Sequence, residues 1–351
     1  MRLNKKAVAS TPQPDTIGKK DLTVNRRTTR RYESSVSWNE RGGADEHGHF
    51  VRSFLSIWQN ECPLMLQARV YTPQSRSVKA YNRNDTRQMI HTWKLSTPPE
   101  EVHFPDESSL DAIARQLPDG WYTTFRTFDK GARVIGLSAH LRRLPHADAS
   151  LLRRSLNHLL DHFRPSEARI RVMETRAGEF YVSIEPLKLL PREVYEQGVK
   201  VETTTLQRLD PRIKSTTFIS ASDKERRHIA IGGIFEALLV KNGRILEGMT
   251  SNFFYLIDGV LHTARCDILL GVTRTMVIRA ARGRGVEVRY RALKLDQLSH
   301  LDEAFITSSS RGIVPVVQID NVRVGQGRVG EVARRLMTVY EEDVLKHAEM
   351  I

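Results

Sequence analysis

Four stretches of this chain hold residues able to bind an anion or do amine chemistry. In Ile213-Lys214-Ser215-Thr216-Thr217-Phe218 a lysine stands among small, β-branched and apolar neighbours. Desolvation there lowers an amine's pKa and frees it to form an imine. An isolated lysine of this kind is more often a surface residue at a strand end. Glu247 precedes a glycine turn that feeds the apolar run Asn252-Phe253-Phe254. Its carboxylate could face a cleft and keep a pyridine nitrogen protonated, or it could be a solvated loop residue. Gly271-Val272-Thr273 opens an expected helix, where free N–H groups and a hydroxyl make a phosphate cradle. Thr273 alone would equally serve as an N-cap. Ser308-Ser309-Ser310-Arg311 follows an expected strand and offers several donors, as an ordinary loop also would. Taken singly, each stretch fits its structural explanation better than its chemical one.

The elements that must position these residues are legible from about residue 106. Aromatic and β-branched residues crowd 121–126, which reads as a strand. Leu152, Leu156, Leu159, Leu160 and Phe163 recur at helical spacing across 149–163. Residues 169–174 and 180–185 read as a strand pair, and 199–205 as a further strand. Residues 227–240 read as a helix with Ile231, Ile234, Phe235 and Leu238 inward. Residues 252–257 and 260–262 form a hairpin about Asp258-Gly259. Residues 273–282 and 330–348 are helices, while 286–292 and 303–307 are strands. Strands and helices in this order indicate an α+β fold rather than a regular βαβ repeat. The expected organisation is a basic, largely disordered extension over 1–105, a smaller α/β domain over 106–190, and a larger one over 196–351. The linker LKLLPREVYEQG marks the boundary between the two domains.

Composition narrows the class of protein. The 351 residues suffice for two domains, and no apolar run approaches the roughly 20 residues that cross a bilayer. The net charge of +13 is uneven: residues 1–100 carry 17 Lys+Arg against 9 Asp+Glu. The basic character is therefore concentrated before the folded region, and nucleic acid is an unlikely partner of the rest. Cys62 and Cys266 suggest neither a disulfide framework nor a metal site, so a cytoplasmic setting is expected.

The order of the four stretches, with further segments, changes the reading. IKSTTF, FEALLVKNGRILEGMTSNFFYLIDGVLHT, LLGVTR, DEAFITSSSRGIVPVVQID and the upstream AHLRRL together resemble the class IV aminotransferases, or fold type IV pyridoxal-phosphate enzymes. Branched-chain aminotransferase, D-amino-acid aminotransferase and aminodeoxychorismate lyase belong to this family. The resemblance spans about 106–345 and implies two α/β domains with the cofactor, pyridoxal 5′-phosphate, between them, in a homodimer.

By resemblance, Lys214 is the Schiff-base lysine and acid/base, and Glu247 the partner of the pyridine nitrogen. Arg143, Val272, Thr273 and Ser309 hold the phosphate, and Ser310 receives the substrate carboxylate through its backbone. Arg126 and Arg311 are candidates for a second substrate carboxylate. The expected activity is amino-group transfer between an amino acid and a 2-oxo acid. An aminodeoxychorismate lyase-like reaction that releases pyruvate is the alternative, and a non-catalytic, nucleic-acid-binding role for the basic arm is a third reading. Phe218 and Ile219 stand where many members carry a tyrosine, and Tyr122-Thr123-Thr124 lacks the usual acidic residue. Both departures bear on substrate choice.

Overall fold

The structure, a computed structural model, describes residues 89–351. The expected disorder and basic arm of the preceding residues lie outside that range. The first part of the described chain runs β1 (His91–Lys94), β2 (Glu100–Val102), α1 (Leu110–Gln116), β3 (Gly120–Phe128), β4 (Arg133–Ile135), α2 (Leu137–Leu141), α3 (Ala149–Leu160), β5 (Ala168–Thr175) and β6 (Phe180–Pro186). Asp148 caps α3 by accepting from the N–H groups of Ser150 and Leu151, at 2.8 and 3.0 Å. The helix then buries Leu152, Leu156, Leu159 and Leu160 against Phe125, Ile170, Val172 and Val182 of the sheet. This is the face that the leucine spacing predicts.

The second part runs α4 (Arg192–Gln197), β7 (Val199–Thr204), α5 (Thr217–Ala221), α6 (Asp223–Gly232), β8 (Glu236–Lys241), β9 (Arg244–Gly248), β10 (Asn252–Ile257), β11 (Val260–Thr263), α7 (Val272–Gly283), β12 (Val288–Tyr290), β13 (Leu293–Lys294), a 3₁₀ turn (Leu295–His300), β14 (Glu303–Ser308), β15 (Gly312–Ile319), β16 (Val322–Arg323), α8 (Glu331–His347) and β17 (Ala348–Met350). Its ten-stranded sheet is covered on both faces. Along β10, Phe253 and Tyr255 enter one core and Phe254 and Leu256 the other, which explains an unbroken apolar run in a strand. Asp258 and Gly259 both take positive φ, 52° and 73°, and close the β10–β11 hairpin as the sequence implies. The mixture of an antiparallel sheet with a second sheet containing parallel pairs (β7–β8, β15–β7, β11–β12) is the α+β class expected.

Three features differ from the sequence reading. The helix expected over 227–240 stops at Gly232, because Gly233 turns left-handed at φ +64°. The following residues form β8, paired with β7 and β9. Helical spacing misled there because α6 buries none of its residues, and Ile231 is 89% exposed. Within the stretch assigned to the extension, β1 pairs with β6 and β2 with β1, so residues 91–102 belong to the first sheet. The last strand, β17, also joins that sheet by pairing with β4. No described helix is long and apolar enough to cross a membrane.

Candidate active site

The Lys214 loop is stitched to the start of β3. Tyr122 N–H donates to the Lys214 carbonyl at 2.9 Å, and Thr216 N–H donates to the Gly120 carbonyl at 3.0 Å. Gly120 N–H in turn donates to Thr216 Oγ1 at 2.9 Å. This short ladder, with Trp121 opposite Ser215, aims the lysine inward. Its Nζ lies 4.9 Å from the centroid of the Tyr122 ring, and the Arg171 guanidinium lies 4.7 Å from the same ring. Burial, and then the positive charges of Arg143, Arg171 and Arg208, hold the amine well below the ordinary lysine pKa, against a smaller opposing pull from Asp111.

Lys214 faces a cavity of about 370 Å³. Arg143, Glu247, Val272, Thr273, Ser309, Ser310 and Arg311 also line it, so seven further candidates meet the lysine in one space. The Arg143 guanidinium donates to the Leu270 carbonyl at 3.0 Å and approaches Thr123 Oγ1 at 3.5 Å. Burial brings its pKa down to about 10. Helix α7 begins at Val272 without a side-chain cap, leaving its first N–H groups directed at the cavity end. Gly271 is required before it, since a Cβ there would meet Asn252 Oδ1 at 2.1 Å. The Ser309 hydroxyl lies 3.4 Å from His140 Nε2, and His140 Nδ1 lies 2.7 Å from Thr123 Oγ1. Burial, reinforced by Arg143 and Lys214, keeps this imidazole neutral by holding its pKa well below the usual histidine value.

Glu247 is buried across the cavity. Its Oε1 accepts from Arg208 Nε at 2.9 Å, and its Oε2 accepts from Leu269 N–H at 2.9 Å and Asn252 Nδ2 at 3.3 Å. Burial outweighs these partners and pushes its pKa up to about 7.

Two candidates stand differently from the rest. Arg311 donates to Glu236 Oε2 at 3.0 Å and to Thr250 Oγ1 at 2.6 Å, so its charge is already matched. Arg126 lines a neighbouring cavity instead. Phe218 and Ile219, expected to face the substrate, are buried in apolar clusters away from the cavity wall. Phe218 carries the Arg208 guanidinium 3.8 Å above its ring. Sequence reasoning missed Arg208, Arg171, Tyr122 and His140 as site residues. His140 sits in the AHLRRL segment and Tyr122 in the strand already noted, but nothing local marks either arginine.

An amine of lowered basicity, a buried acid, an arginine and an uncapped helix start around one cavity suit amine chemistry on a fold type IV scaffold. The pattern of the amino-transferase class IV family matches residues 120–319, and the chain belongs to that family. A Methanocaldococcus jannaschii protein provisionally assigned as a branched-chain-amino-acid aminotransferase is 29% identical over 253 residues, covering 64% of this chain and 86% of that one. The branched-chain-amino-acid aminotransferase of Escherichia coli K12 is 33% identical over 162 residues, covering 43% of this chain and 52% of the enzyme. In fold, the chain is similar to the crystal structure of a T.th. branched-chain amino acid aminotransferase with pyridoxamine 5′-phosphate. The TM-score is 0.64 at 22% identity, over 75% of this chain and 99% of that one. The protein is an aminotransferase, and the lyase alternative is not favoured by these relatives.

Proposed function

We propose that the cavity binds pyridoxal 5′-phosphate, that Lys214 would hold it between turnovers and give way to the substrate amine, and that an amino group passes there between an amino acid and a 2-oxo acid. The observation that supports this most is the depressed basicity of the Lys214 amine in a cavity shared with Arg143, Thr273 and Glu247. The donor set suits a phosphorylated pyridine. An uncapped helix start, an arginine fork and two hydroxyls gather at the cavity, and Thr307 Oγ1, also in its lining, is buried with no partner among the described residues. When bound, the cofactor supplies an aldehyde for the amino group and a ring that accepts electrons.

In this reading Arg143, the N–H groups of Val272 and Thr273, and the hydroxyls of Thr273 and Ser309 hold the phosphate. Glu247, poised near neutrality, holds the ring nitrogen. The Lys214 amine, its basicity lowered by burial and by the neighbouring arginines, would take the proton from the substrate Cα and return it. The Ser310 N–H meets the substrate carboxylate, and Arg311, engaged with Glu236, shapes the wall beside it. Branched-chain amino acids, named for the relatives, are the first donors to assay.

The test is the visible absorption of the protein with added pyridoxal phosphate. The wild type is expected to show the band of lysine-bound cofactor and to lose it on adding an amino acid. Lys214→Ala is expected to lack the band and to fall at least about 10³-fold in activity. A wild type without the band ends this reading. We further propose a homodimer working in the cytoplasm. Leu209, fully exposed, and Ile231, 89% exposed, supply apolar surface for a second copy to cover, and the free Cys266 suits a reducing setting. Light scattering of the purified protein checks the dimer, and a monomer of full activity would defeat it.

A further inference from the structure

We propose that Thr123 and His140 are positioning residues that join Arg143 to Ser309 in a one-way hydrogen-bond chain, which makes the Ser309 hydroxyl a donor toward the Lys214 cavity; this rests on the reading of that cavity as a phosphate cradle. Thr123 lies on β3 and His140 on α2, and both are fully buried. Arg143 Nη1 donates to Thr123 Oγ1 at 3.5 Å. The same oxygen lies 2.7 Å from His140 Nδ1, and His140 Nε2 lies 3.4 Å from Ser309 Oγ. Arg143 and Ser309 line the cavity, while Thr123 and His140 stand behind its wall.

The imidazole in the middle of the chain carries one proton. Burial, then the charges of Arg143 and Lys214, hold its pKa well below the usual histidine value. The stretch Tyr122-Thr123-Thr124 holds no carboxylate that could draw a second proton onto it. A neutral imidazole has one donor nitrogen and one acceptor nitrogen, so two arrangements exist.

With the proton on Nδ1, Thr123 Oγ1 would accept from both Arg143 and His140. Its own buried hydrogen would then have no acceptor among the described residues, which is costly. Nε2 would be a bare acceptor and would draw the Ser309 hydrogen away from the cavity. With the proton on Nε2, Arg143 donates to Thr123, Thr123 to Nδ1, and Nε2 to Ser309. Each of these hydrogens has an acceptor, and bonds aligned in one sense strengthen one another. The Ser309 hydrogen is left for an anion in the cavity. Both ends of the chain then offer donors to the same anion.

Long-range proton–nitrogen correlation spectra of the cofactor-free full chain, isotope-labelled at histidine nitrogen, read the tautomer directly. His140 is identified by the signals missing from His140→Gln. A neutral ring protonated at Nε2 is expected. Thr123→Val, which lacks the hydroxyl, should show both tautomers, and Thr123→Ser should keep the wild-type one. In pyridoxal phosphate titrations Thr123→Val should weaken binding about tenfold and Thr123→Ser less than about twofold. In a Ser309→Ala background the further cost of Thr123→Val should shrink to less than about threefold, as it must for residues acting through one another. A ring protonated at Nδ1 or at both nitrogens overturns the chain. So does an undiminished cost of Thr123→Val once Ser309 is removed. The tautomer is read without cofactor, so it decides the chain even where the wild type shows no visible band and the cofactor reading fails.

Discussion

Arg208 Nε lies 2.9 Å from Glu247 Oε1, and the guanidinium that makes this contact rests 3.8 Å above the Phe218 ring. The aromatic residue four positions after Lys214 thus supports the cation that restrains the buried acid. Phe218 cannot donate a hydrogen bond to a ligand, but it holds a flat apolar platform under Arg208. The departure from the family pattern at this position is tied to the electrostatics of Glu247.

That acid should leave a mark on stability against pH. A carboxyl with folded pKa near 7, against an ordinary value of 4.5, binds its proton more tightly in the folded state. Its contribution is fully present below pH 4.5 and is lost as pH rises through 7, by roughly 3 kcal/mol at most. Denaturant titrations of the cofactor-free wild type should show this fall relative to Glu247→Gln. Arg208→Met, which leaves the buried carboxylate unpaired, should lower stability above pH 7 by about 3–5 kcal/mol. Parallel pH profiles for wild type and Glu247→Gln would contradict the assignment.

His140 predicts the opposite slope. Its folded pKa is depressed, so the neutral ring contributes stability above the ordinary histidine pKa of 6.5. That contribution is lost as pH falls below 6.5, because the unfolded chain takes up the proton first. His140→Gln should flatten the acid side of the thermal-melting profile. It should also weaken pyridoxal phosphate binding several-fold, because the ring reaches both Ser309 and Thr123.

Arg143 tests the anion cradle directly. Arg143→Met should weaken pyridoxal phosphate binding by about 10–100-fold, corresponding to roughly 1.5–3 kcal/mol for a hydrogen bond to a charged group. Arg143→Lys should restore part of it, since an ammonium lacks the planar fork. Fluorescence titration of apoprotein reads both. Equal affinity in the wild type and Arg143→Met would remove this residue from the cradle.

Gly120 predicts a defect in folding that carries the site with it. A Cβ at this position would stand 1.9 Å from the Glu174 carbonyl oxygen. Gly120→Ala should therefore displace β3 from β5 and lower stability by about 3 kcal/mol or more. The same shift would loosen the Gly120–Thr216 bonds that aim Lys214. Melting temperature and the visible band of the reconstituted variant should fall together.

Much of the scaffold was readable before any coordinates. Residues 149–163 and 252–263 carry their geometry in local spacing: leucines at helical period for α3, and Asp258-Gly259 at positive φ for the hairpin. The same local logic failed at 227–240. There β8 pairs with the remote β7 and, across the Asn242-Gly243 turn, with its neighbour β9; the helical spacing of the apolar residues hid that local hairpin, and no short window records the β7 partner.

The site divides in the same way. Lys214, Glu247, Val272, Thr273 and Ser309 were singled out by the order of their motifs, which resembles a known family, since each motif alone fitted a structural explanation better. Their convergence was not legible from composition or spacing, since they stand on separate loops and strands. Arg208, Arg171 and His140 act through burial and through charges brought close from elsewhere in the chain, and those quantities exist only after folding. Arg126 shows this most plainly. The sequence placed an arginine in an expected strand, and tertiary packing decided which of two cavities it lines.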